Sequence, residues 1–162
     1  MVFSDSYHIS FAHRLHNSTS GEDNLHGHTY KVSVTIDLSQ IFSSPDYIED
    51  DVVWGSLVNM DAVNLLIMQS VDNGLLLCKR DPLADEFLKN GYPGVQITEY
   101  IPTKVNIAKY LVSVILHTVS ESLRAHVRSA GHLLVTMELE DMYGESIEVL
   151  DYATFDVEES SE

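Results

Sequence analysis

The sequence is short of several things, and each shortage excludes something. Cysteine occurs once in 162 residues, as Cys78. No internal disulfide can therefore form, and a metal site closed by several thiolates is ruled out. Lysine and arginine number 9 against 25 aspartates and glutamates, a formal net charge of −16. A surface this negative repels phosphate backbones and anionic lipid, which argues against nucleic-acid and membrane-surface partners. No apolar run reaches the roughly 18–20 residues of a membrane span, and the opening MVFSDSYHIS has no basic-then-apolar leader. A cytoplasmic location is expected. Internal repeats and low-complexity linkers are also missing. What the chain does have is apolar content, 44% hydrophobic with only 21% charged, enough for one buried core. The expectation is a single domain over residues 1–155 followed by the acidic tail 156–162, DVEESSE.

Two alternating runs dominate the first forty residues. Tyr7, Ile9 and Phe11 are large and apolar with His13 in the same parity, and Tyr30, Val32, Val34, Ile36 and Leu38 alternate with Thr29, Lys31, Ser33, Thr35 and Asp37. Period-two alternation predicts strands with one covered and one wet face. The polar stretch from Asn17 to Asn24 reads as the loop between them, and Ser39 to Trp54 as an irregular extension. Asn59 is a good N-cap for a helix carrying Met60, Val63, Ile67 and Val71, which Asp72-Asn73-Gly74 ends. From Leu75 to Ile101 no period is legible. A longer helix begins at Pro102-Thr103 and carries Ile107, Tyr110, Leu111, Val114, Ile115, Thr118 and Leu123, with Arg124, His126 and Arg128 near its end, where cations suit the dipole. Leu133, Val135, Met137 and Leu139 alternate again. A turn at Glu140–Gly144 leads to a last strand from Ser146 to Phe155. The predicted fold is α+β: a four-stranded antiparallel sheet with two helices on one face, in the order strand, strand, helix, helix, strand, strand.

The chemistry collects where the first two strands meet. His13 ends one strand and His26-Gly27-His28 opens the next. In an HxH pair on a strand both imidazoles face one way. Here they share the parity of the apolar face, as does His13. Antiparallel pairing through the loop brings all three rings to one end of that face. Three imidazoles with a fourth position open are the ligand set of a catalytic zinc. An isolated HxH is weak, because lone strand histidines mostly sit in a core or at its rim; the third histidine in matched parity strengthens it. His8 faces the other side, His16 belongs to the surface loop or the site mouth, and His117, His126 and His132 read as helix-surface or helix-end residues. Cys78 reads as a small buried hydrophobe.

Phe11-Ala12-His13-Arg14-Leu15, followed by Leu25-His26-Gly27-His28-Thr29-Tyr30-Lys31-Val32, resembles the 6-pyruvoyltetrahydropterin and 6-carboxytetrahydropterin synthase family. Gly55–Met60 is similar to the segment that leads into that family's first helix. Asp72-Asn73 stands where the family has Asp-His, and Pro102-Thr103-Lys104-Val105-Asn106 where it has Pro-Thr-x-Glu-Asn. The resemblance implies a tunnelling fold whose subunits form trimers that stack into hexamers. It also implies zinc on His13, His26 and His28, and a 7,8-dihydroneopterin triphosphate-type substrate whose hydroxylated side chain the metal holds while a base moves its protons.

The sequence departs from that pattern at several positions. The proton-moving cysteine, four positions before HGH in one branch, is Glu22. A subgroup with glutamate there resembles enzymes that cleave the pterin side chain, and a carboxylate can serve as base when burial raises its pKa. Glu22 also reads as a solvated loop acid. Asn73 replaces the relay histidine, Val105 the helix glutamate, and Leu139 the late glutamate that grips the pterin edge; only a one-residue bulge presents Glu140 instead. The leading expectation is a zinc-dependent pterin lyase with Glu22 as base, Asp72 as orienting carboxylate, and Thr103 and Glu140 toward the substrate. The alternatives are a catalytically impaired homologue that binds small molecules or assembles with partners, and a zinc enzyme acting on another hydroxylated molecule.

Overall fold

The computed structural model describes residues 1–41, 58–127 and 130–156. Most of the extension expected from Ser39 to Trp54, the segment Gly55–Leu57, Arg128 and the tail beyond Asp156 lie outside the described residues. The elements are β1 (Val2–His13), β2 (His26–Asp37), α1 (Met60–Val71), β3 (Leu75–Cys78), α2 (Pro82–Lys89), β4 (Val95–Thr98), α3 (Lys104–Arg124), β5 (Gly131–Glu140) and β6 (Ser146–Phe155).

The alternating strands pair as their patterns require. β1–β2, β2–β5 and β5–β6 are antiparallel, and one parity is buried at the end of β1 and along β2 and β5: Ile9 and Phe11, then Tyr30, Val32, Val34 and Ile36, then Leu133, Val135, Met137 and Leu139. α1 covers this face through Val63, Ile67 and Val71, and α3 through Ile107, Leu111, Ile115 and Leu123. Asn59 caps α1 by accepting the Ala62 N–H at 3.1 Å, and Thr103 caps α3 by accepting the Asn106 N–H at 3.2 Å. Both helix starts therefore fall where the capping residues place them. At the start of β5, Gly131 meets residues 40–41 so closely that a Cβ would lie 2.5 Å from the Gln40 carbonyl oxygen. Only glycine fits that approach.

The sheet corrects the expected architecture. Among the described residues it has six strands, ordered β4-β3-β1-β2-β5-β6, with three helices. The addition is a small parallel β3–α2–β4 unit, attached to β1 only at Ala12 and His13. It escapes periodicity because Leu75-Leu76-Leu77-Cys78 is a continuous apolar run of four, typical of a short parallel strand buried on both faces. α2 did carry a start signal: Asp81 caps it, with Pro82 in the first turn.

The candidate metal centre and its cavity

Pairing of β1 with β2 sets His13 opposite His26 and Phe11 opposite His28. The three imidazoles crowd together, with ring centroids 4.5–4.9 Å apart. One ring nitrogen from each lies within 4.8 Å of the others. Two of the rings are held from behind. His13 Nδ1 lies 2.6 Å from the Pro102 carbonyl oxygen, at the entry to α3, and His26 Nδ1 lies 2.8 Å from the Asn24 carbonyl oxygen. A carbonyl only accepts, so each Nδ1 carries the proton and each Nε2 a lone pair. Those two Nε2 atoms face one another at 3.0 Å.

Two lone pairs at that distance repel unless a cation lies between them or one ring takes a second proton. For His13 the second proton is opposed mainly by burial, and also by the neighbouring His26 and His28, which together outweigh the Pro102 hydrogen bond and lower its pKa to about 4. Burial first, then His26, also lowers the pKa of His28. Two imidazoles on one zinc stand about 3.3 Å apart, from bonds of about 2.0–2.1 Å at a tetrahedral angle. The donor set, the fixed tautomers and the carbonyl partners behind the rings all suit a divalent metal ion.

His13 and His28 line a cavity of about 1060 Å³, and His26, beside them, stands outside the lining. One wall is aromatic: Tyr30 stacks on Phe11 and on His28, with centroids 5.6 and 5.4 Å apart. Burial, then the charges of Asp141 and Glu22, push the Tyr30 hydroxyl up to about 12, so it stays neutral. The N-terminal turn of α3 contributes Thr103, Lys104 and Val105, and the β5–β6 turn contributes Asp141, Met142, Tyr143 and Glu145. Lys104 Nζ stands 3.9 Å from an Asp141 carboxylate oxygen and 5.7 Å from the Tyr30 ring centre.

The other expected site residues divide. Glu22 lines the cavity from the loop after β1, accepting the Ser20 hydroxyl at 2.9 Å. Thr103 lines it while capping α3. Asp72 is not among the lining residues: its carboxylate accepts the Ser10 N–H at 2.8 Å and the Asn73 side-chain amide at 3.1 Å, fixing the end of α1 against β1. Its neighbour Asn73, with φ 54°, reaches the cavity instead. Glu140 is not in the lining either. Leu139 keeps strand parity and is fully buried, so Glu140 falls on the opposite face, where it pairs with Lys31. No bulge intervenes. The carboxylates at that end of the cavity belong to Asp141 and Glu145, which sequence reading missed because a turn carries no periodicity.

Two further residues came into view only with the structure. Arg14 donates to the Asp23 carbonyl and, at 2.5 Å, to the Asp81 carboxylate, whose side chain is fully buried. This pair ties the loop bearing Glu22 to the start of α2. Tertiary pairing across 67 positions leaves no sequence period to detect.

The structure is an α+β fold whose histidine triad, beside a cavity, could hold a metal ion. The sequence matches the 6-pyruvoyl tetrahydropterin synthase family over residues 3–131, and the chain belongs to that family. The match ends at the start of β5, so the C-terminal hairpin lies beyond it. No curated protein matches the sequence. Among solved structures, an uncharacterized protein from Wolinella succinogenes is similar in fold, with a TM-score of 0.59 at 15% identity over 92% of this chain and 98% of that one.

Proposed function

We propose that this protein is a zinc-dependent pterin enzyme that acts on the hydroxylated side chain of a 7,8-dihydroneopterin-type substrate. The observation that carries the reading is the pair of Nε2 lone pairs, 3.0 Å apart with both Nδ1 protons committed to carbonyls, beside a cavity that His13 and His28 line and that is large enough for a bicyclic ligand. Zinc on His13, His26 and His28 would supply Lewis acidity, polarising a substrate hydroxyl and acidifying the adjoining C–H. Glu22, on the cavity lining, takes the proton. The Arg14–Asp81 pair holds its loop, and the Leu15 N–H, donating to the Glu22 carbonyl at 2.9 Å, closes it. Thr103 retains a hydroxyl proton to donate, since its oxygen accepts from Asn106. Asp141 and Glu145 face the ligand where Glu140 was expected, and Asp72 acts at one remove by fixing Asn73.

Incubating the zinc-loaded protein with 7,8-dihydroneopterin, beside His26→Ala and Glu22→Gln, tests this. A zinc-dependent product of altered mass is expected. Full zinc occupancy with no product from any dihydropterin would defeat it. A second reading has its own support: Asn73 and Val105, both on the cavity lining, cannot move protons. Under that reading the protein binds the ligand and does not turn it over.

Assembly into trimers, or dimers of trimers, follows the family's habit of forming oligomers. Its support here is the backbone: β6 is an edge strand, and β1 is paired on its outer side only at Ala12 and His13. The single-domain reading over residues 1–155 belongs to the same proposal. No helix among the described residues is long and apolar enough to cross a membrane.

A further inference from the structure

We infer that the ligand of this cavity carries no phosphate: the substrate class is the unphosphorylated dihydropterin polyol, not its triphosphate. This rests on the pterin reading above and goes beyond it. Three carboxylates line the cavity, from Glu22, Asp141 and Glu145, and among the described residues Lys104 is its one basic side chain.

Lys104 is already engaged, within 3.9 Å of Asp141 and over the Tyr30 ring. The start of α3 adds only the partial positive charge of a helix end, about half an elementary charge.

The rest of the chain offers little more. Of its nine basic residues, Arg14 is bound to Asp81 and the Asp23 carbonyl. Lys31 lies on the uncovered sheet face opposite Glu140, and Lys79 pairs with Glu99. Lys109 is exposed on α3 and Arg124 sits at its far end. Arg80 precedes α2 and Lys89 ends it, and Arg128 lies outside the described residues. Residues 42–57 contain four acids and neither lysine nor arginine.

A divalent ion on the triad brings such a site close to neutrality, which suits an uncharged polyol. A triphosphate needs several charge-assisted donors to replace its hydration. It would also approach a chain of net charge −16 against the long-range field.

The test is a binding titration of the zinc-loaded protein, followed by ligand fluorescence, with 7,8-dihydroneopterin and separately with its triphosphate at low and high salt. The polyol should bind at least about tenfold more tightly at low salt, and the gap should narrow as salt screens the repulsion. Glu145→Lys, at an exposed turn, should narrow it by raising affinity for the triphosphate severalfold; Glu145→Gln should do so to a smaller extent. Equal or tighter binding of the triphosphate would overturn the inference while sparing the pterin reading. It would place the phosphate donors on a neighbouring copy. If neither compound binds while zinc does, the pterin reading falls and this inference falls with it.

Discussion

The two ends of the cavity are built differently. At the triad end two of the three rings are fixed: His13 is 3% exposed, and its ring and that of His26 are locked by backbone carbonyls. At the β5–β6 turn, Met142 and Tyr143 are 79% and 92% exposed, and order centres on Asp141: its carboxylate accepts the N–H groups of Tyr143 and Glu145, each at 2.9 Å, and its backbone bonds Glu145 and Gly144. The difference separates holding from choosing. A metal ion requires ligand geometry within tenths of an ångström, which only rigid, interlocked strands supply. Ligand choice tolerates a turn, because charge and contact area act over a broader range. The family match respects the same division, covering the triad and ending before the turn.

The sharpest way to break this contrast is to remove a metal ligand. His26→Ala should lower zinc affinity by more than about a hundredfold and abolish turnover, while the distant turn keeps its structure. Zinc content after dialysis, measured beside amide protection at Tyr143 and Glu145, reads both ends at once. Coupled loss of protection would mean that the metal organises the whole cavity. Glu22→Gln comes next, with a fall in turnover of about 10²–10⁴-fold and zinc content unchanged. Loss of zinc in that variant would make Glu22 a support of the metal site, not the base.

How much of this was legible in the sequence follows the same physics. The four long strands and both long helices announce themselves, because Tyr30 to Leu38 or Ile107 to Leu123 repeat a period often enough to be read. Three histidines in matched parity at a strand junction point to the triad for the same reason. What the sequence hides is short or non-local. β3 and β4 span four residues each, too few to show alternation. The contact between Arg14 and Asp81 depends on the annex docking at the end of β1. The carboxylates facing the triad could not be placed by strand parity once they lay past the strand: Leu139 and Glu140 obey the pleat, while Asp141 and Glu145 obey the turn.

A smaller effect sharpens the contrast from the loop that joins the two strands of the triad. Asp81→Ala leaves Arg14 without its buried partner and removes the cap that accepts the Leu83 N–H at 2.9 Å. Breaking a buried pair costs about 3–5 kcal/mol, and the partial exposure of Arg14 places this one at the lower end, about 3 kcal/mol. Urea unfolding should show the midpoint falling with little change in slope. Turnover at low urea should fall further than zinc content, since the loop bearing Glu22 is loosened and the rings are not. Equal loss of both would tie the loop and the triad into one unit.

The smallest effect belongs to the exposed turn. Tyr143→Ala should change stability by no more than about 0.5 kcal/mol, as surface substitutions do, because 92% of the side chain faces solvent. Its consequence should appear only on the ligand, as a loss of affinity of about two- to tenfold from contact area lost as the ligand is covered. Calorimetric titration with 7,8-dihydroneopterin, set beside thermal melts with and without ligand, separates the two quantities. An unchanged melt of the free protein with weakened binding would place Tyr143 in ligand choice alone. A shift of several degrees without ligand would mean that the turn is packed in solution against something beyond this chain, such as a neighbouring copy. The division between holding and choosing would then have to be drawn across the assembly.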